Sequence, residues 1–218
     1  MENLQKVKRV SNRTIKDRRI LLCFVYICLL IFASAANAIL VPLEVFTNNG
    51  LYGDSMNLYV AVTDAGSGQV DFTFHNENTF TSSIKRIYFD DGILSGIAAI
   101  TEGPGTDFDI STTPSDLPSG NKLGPPFETT EGFSVGAEPS PAHNGINPGE
   151  WLTITFNLKS GKIFSDVVSN LQTNALRIGV HVISLPDGSS EAAVTPEPAT
   201  ICLLGVSSLA LLLRKRRF

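Results

Sequence analysis

Between residues 39 and 194 the chain has no cysteine, a single tryptophan and only six basic residues. Its three cysteines are Cys23, Cys28 and Cys202, all in apolar segments towards the two ends. The central body therefore has no disulfide, no thiolate zinc site, no iron–sulfur cluster and no thiol nucleophile. The six basic residues are Lys85, Arg86, Lys122, Lys159, Lys162 and Arg177, set against eighteen acidic ones, a formal charge of −12. Nucleic-acid binding, which rests on neutralising phosphates, is excluded for such a body. The charge also keeps it soluble and repels anionic lipid or polysaccharide unless divalent cations intervene. No internal repeat is visible, which excludes a solenoid or propeller. With about 155 residues the body is long enough to hold a core without covalent staples.

The missing basic residues are at the ends. Residues 1–38 carry seven of the seventeen, from Lys6 to Arg19, ahead of the run ILLCFVYICLLIF and then ASAANA. A basic region, an apolar run of thirteen residues and a small-residue site are the parts of a secretory signal peptide. Ala36 and Ala38 fit the A-x-A rule, so signal peptidase is expected to cut after Ala38 and release a body beginning at Ile39, following Sec translocation. The alternative is an uncleaved signal anchor, for which the apolar run is short.

At the other end, 199–213 holds fifteen uncharged residues, followed by Arg214, Lys215, Arg216 and Arg217. As a helix it rises about 22 Å against a hydrocarbon core of about 30 Å, a marginal transmembrane span that flanking arginines extend by snorkelling. The basic cluster belongs on the cytoplasmic side, as does the basic N-terminus, leaving the body outside. Just before the apolar run stands Pro196-Glu197-Pro198. The two prolines hold φ near −65° and bias Thr195 and Glu197 towards extended backbone, the form a processing cleft binds. Glu197 offers a charge for a basic cleft residue.

The triplet, short apolar helix and terminal RKRR cluster resemble the PEP-CTERM sorting signal over about 24 of the 218 residues. The resemblance implies recognition by an exosortase, a membrane-embedded transpeptidase-like cysteine enzyme of Gram-negative bacteria that make extracellular polysaccharide. It also implies a cut at or near the triplet, with the body released or transferred to the envelope surface or matrix. The alternative is a plain C-terminal anchor that keeps its tail.

From 39 to 190 the pattern is short strands and turns. Val70, Phe72 and Phe74 alternate along 69–75, as do Leu152, Ile154, Phe156 and Leu158 along 151–158. Runs at 57–63, 84–90 and 176–183 read likewise, the last with Arg177, Gly179 and His181 on its second face. Asp91-Gly92 signals a hairpin. Only 164–171 reads as a helix, with Ser165 as its N-cap. The run 101–149 holds eight of the twelve prolines and reads as one or more long loops across one end. The expected fold is all-β, an antiparallel β-sandwich over 39–190, with 191–198 a linker carrying the triplet, 199–213 the membrane helix and 214–218 the cytoplasmic tail. The segments VDFTFHN, IKRIYFDDG, NPGEWLTITFNL and LRIGVHV also resemble bodies of PEP-CTERM proteins, which implies a β-sandwich and no particular activity.

Candidate chemistry is sparse. Gly53-Asp54-Ser55 matches the start of a GDS esterase, but neither His143 nor His181 has the Asp three residues before it that such an enzyme uses. His75, His143 and His181 lack any compact ligand spacing, so no metal and no cofactor are expected. Asp90 and Asp91 could offer oxygen atoms to calcium, with Asp107 and Asp109 as other donors, but a hairpin turn at Asp91-Gly92 already accounts for the first two. Trp151, on the polar face of its strand, is the one candidate ligand contact, with Tyr52 and Tyr88 as company. The alternative, and the commoner fate of a single tryptophan, is packing against a second sheet or the long loop. No repeated Thr-x-Thr ladder suited to an ice-matching face is present. The sequence thus points to a non-enzymatic, exported structural or interaction body handled by an exosortase. A carbohydrate-binding module for exopolysaccharide is the alternative.

Overall fold

The computed structural model describes residues 38–111 and 116–197. The expected signal peptide up to Asn37, Pro198, the segment 199–213 and the basic cluster 214–217 lie outside the described residues.

Strict alternation at 69–75 gives β4 (Gln69–Asn76), whose Val70, Phe72 and Phe74 are fully buried while the residues between them are half-buried. Its partners in an antiparallel five-stranded sheet are β3 (Leu58–Gly66) and β9 (Trp151–Leu158). The edges of that sheet are β1 (Ile39–Pro42) and β6 (Leu94–Glu102), in the order β1-β3-β4-β9-β6. A second sheet is built from β2 (Glu44–Val45), β5 (Ser83–Asp91), β7 (Phe108–Ile110), β8 (Ser134–Ala137), β10 (Leu176–Ile183) and β11 (Glu191–Val194). Its order is β2-β11-β10-β5-β8-β7, again antiparallel throughout. The sheets face each other across one core, in which Phe89 of β5 meets Phe156 of β9 at 4.6 Å and Phe72 of β4 at 5.2 Å between ring centres. Edge-on contacts of this kind add to the apolar burial, about 2–3 kcal/mol per ring.

The expected hairpin at Asp91-Gly92 does not form. Both edges of β5 are taken, by β10 and β8, and the chain crosses at 91–93 to the other sheet, where β6 pairs with β9. Burial of Ile93 and Leu94 carries it across. The helix is present as α2 (Phe164–Thr173), after a single turn α1 (Pro141–Asn144) that periodicity did not signal. Its N-cap is Ile163 and not Ser165, because the Asp166 carboxylate reaches back to accept the Ile163 N–H at 3.0 Å. Val167 and Leu171 turn into the core, and Asn174 ends the helix in the left-handed region at φ 58°.

The proline-rich run differs most from its reading as loop across one end. It contains β7, β8 and α1, and its stretch 116–128 lies over the outer face of the six-stranded sheet. There Leu117 and Phe127 pack with Tyr88, Ala192 and Val194 in a second apolar cluster. Leu117 sits so close to β10 that a Cβ at Gly179 would stand 2.7 Å from its Cδ2. Residues 176–180 are consequently buried on both faces, Arg177 included. The body also runs past 190: Glu191–Val194, expected as linker, form β11, buried along its whole length.

Candidate functional site

The sorting triplet begins inside the fold. β11 pairs with β10 through Gly179 and Val194, and Thr195 extends that ladder by one step. Its N–H donates to Ile178 O at 2.9 Å, and its hydroxyl accepts the Ile178 N–H at 3.3 Å, where a strand would have used a carbonyl. Thr195 is 2% exposed. Pro196 has no N–H to continue the ladder, so pairing stops there. It is buried in an open apolar groove of about 230 Å3, lined also by Leu40, Pro42, Val168 and Leu171, while Glu197 is exposed. Ile39, the expected first residue after signal-peptide removal, lines the same groove, and Ala38 before it is exposed. Ile39 and Pro196, next to the two points that the sequence marks for processing, thus line one groove.

Trp151 is half-buried on the outer face of the five-stranded sheet. Its expected companions are elsewhere: Tyr88 is buried in the second apolar cluster, and Tyr52 packs on Phe80 at 4.9 Å. Register supplies others. His75 stands directly across from Trp151, and Tyr59 across from His75, with the Tyr59 and His75 rings stacked at 4.7 Å and 17°. Burial holds the His75 imidazole below its ordinary pKa, opposed by the nearby Glu77 carboxylate. The same register gathers Thr73, Thr101 and Thr153 in one row, although no Thr-x-Thr repeat predicts it.

The remaining candidates are scattered or occupied. Asp90 pairs with Arg177 and accepts the Glu128 N–H at 3.1 Å, so its carboxylate serves the covering loop. Asp109 accepts the N–H of Ile110, and the Asp107 backbone is bonded to Asn144 and Glu138. His75, His143 and His181 stand on β4, α1 and β10. His181 titrates below its usual value through burial, then through Lys85 and Arg86. Among the described residues no group of three or more His, Cys, Asp or Glu is placed to hold a metal ion, and no helix is long and apolar enough to cross a membrane. Ser55 lies in an exposed single turn, Gly53–Ser55. The loop before that turn is anchored by Glu191, whose buried carboxylate accepts the N–H groups of Asn49 and Gly50 at 2.8 Å. Glu191 carries no sequence signal, since EAAV reads as linker.

Comparison with curated proteins and with solved structures gave no match. Residues 194–217 match the family model of the PEP-CTERM protein-sorting motif, so the chain carries the signal of an exported protein that an exosortase handles.

Proposed function

We propose that the exosortase cuts within or just after Pro196-Glu197-Pro198 and delivers a non-catalytic body to the envelope surface or extracellular matrix of a Gram-negative cell. The observation that carries this reading is the division of the triplet. Pro196 is held on the body while Glu197, the next residue, is exposed, which puts the middle of the triplet within reach of a cleft. The shared groove adds support, because a body whose two chain exits lie together can be tethered through both without being pulled apart. Loss of the N-terminal segment frees Ile39, and loss of the tail completes release. A body with Ser55, His75, His143 and His181 on separate elements suits a structural or interaction role. Fractionating cells that lack the exosortase tests the reading. The full-length chain should accumulate with the inner membrane, and unchanged delivery to the outside would overturn it.

A second reading, a carbohydrate-binding body, is favoured by the row of Tyr59, His75 and Trp151 on the open sheet.

A further inference from the structure

We infer that the open face of the five-stranded sheet is a binding strip for a neutral polysaccharide chain running along β4 and β9. The inference deepens the carbohydrate-binding reading and rests on it. Pairing of β4 with β9 places three polar couples in succession on this face: Thr73 with Thr153, Asp71 with Thr155, and Gln69 with Asn157. Each couple is joined directly, the two threonine hydroxyls at 2.8 Å, Thr155 Oγ1 donating to Asp71 Oδ1 at 2.6 Å, and Gln69 Nε2 donating to Asn157 Oδ1 at 3.0 Å. The aromatic row of Tyr59, His75 and Trp151 closes one end of this ladder.

Chemistry selects the ligand. Sugar rings present C–H faces, which pack on aromatic surface, and rims of hydroxyls, each at once donor and acceptor. Coupled side chains that hold one another in place suit such rims, because little rotamer freedom is lost when the ligand arrives. Trp151 is built for the first task. The indole packs against the backbone of Gly103, where an added Cβ would lie 3.0 Å from Cδ2 and Cε2, so only glycine lets the ring settle there. The strip from the His75–Trp151 row to the Gln69–Asn157 row spans seven residues, six steps of about 3.4 Å or about 20 Å, enough for several sugars in line.

Charge narrows the class. The six basic residues of the body lie on β5, β10 and the segments containing Lys122, Lys159 and Lys162, none on the strip. Its one charged ladder residue is Asp71, and Glu77 lies near the aromatic end. An anionic polymer would meet Asp71 and find no basic side chain among the ladder couples, whereas a neutral one meets hydroxyl, amide and aromatic groups. A protein partner would want apolar anchors at the centre, where this strip has threonines.

The test is native gel retardation of the protein recovered from outside the producing cell, in gels cast with a soluble β-glucan, an α-glucan or a galactomannan, and with alginate as the anionic comparison. At least one neutral polysaccharide should retard the protein, and Trp151→Ala should weaken that retardation tenfold or more with the near-UV circular dichroism otherwise preserved. Asn157→Arg, at an exposed ladder position, should weaken it several-fold and decides the matter if the tryptophan variant misfolds. Retardation by alginate alone, by none of the four, or equally in wild type and Asn157→Arg would overturn the inference. Failure here leaves the sorting reading standing, because that is read from the chain's mass and location.

Discussion

Arg177 reaches across from β10 to Asp90 on β5, and the pair holds the proline-rich segment to the outer face of the six-stranded sheet. The guanidinium also donates to Pro125 O at 2.7 Å and to Pro126 O, and stands 5.2 Å from the centre of the Phe127 ring. Substituting Arg177→Met leaves Asp90 half-buried without its cation and frees two loop carbonyls. We expect a loss of about 2–3 kcal/mol in urea unfolding, with Asp90→Asn costing less because it keeps an acceptor for Glu128. Because Asp90 is engaged, millimolar calcium should leave the unfolding midpoint unchanged.

The aromatic centre gives a larger effect. Phe156 touches Phe72, Phe89 and Phe133 and is fully buried. Phe156→Ala should cost about 3–5 kcal/mol in the same measurement, through lost burial and the cavity left between the sheets.

Thr195 tests whether the sorting segment is part of the body. Thr195→Val keeps the shape but leaves the Ile178 N–H buried without an acceptor, a loss of about 1–2 kcal/mol. Removing everything after Val194 should lower the melting temperature further than removing everything after Glu197. Equal melting temperatures would mean that Thr195 and Pro196 contribute nothing.

The histidines set an acid limit. His75 and His181 are both held below their ordinary pKa, first by burial, so the unfolded chain binds protons that the folded one refuses. Their contribution to stability is complete above about pH 6.5 and is lost as pH falls below it, through the lowered folded values. His181→Gln should flatten the fall of melting temperature between neutral and mildly acidic pH. The Asp187 carboxyl, lowered by its bonds from Ser189 and the Leu51 N–H, loses its contribution only in the more acidic carboxylate range.

Much of this fold is legible in local periodicity. The inward faces of β4 and β9 follow directly from alternation at 70–74 and 152–156, since a two-residue period leaves no choice of face once one side is buried. What stays hidden depends on partners distant in sequence. Asp91-Gly92 has turn chemistry, but which sheet receives the next strand is decided by the occupied edges of β5. Arg177 and Gly179 alternate like outward residues and are buried because Leu117 and Phe127 arrive from fifty or more residues away. β11 is too short and too alanine-rich to signal a strand, and its burial comes from a cover on each side. Of the candidate sites, the sorting motif is legible because its triplet stands directly before an apolar run and a basic cluster. The neighbours of Trp151 were not, since only register brings His75 and Tyr59 beside it.

The most direct measurement of the central claim is the intact mass of the protein recovered from outside the cell. A chain beginning at Ile39 and ending at or within a residue or two of Glu197, with Thr195 and Pro196 retained, is the predicted result. A mass that includes 199–218, found on the released protein, would contradict the account.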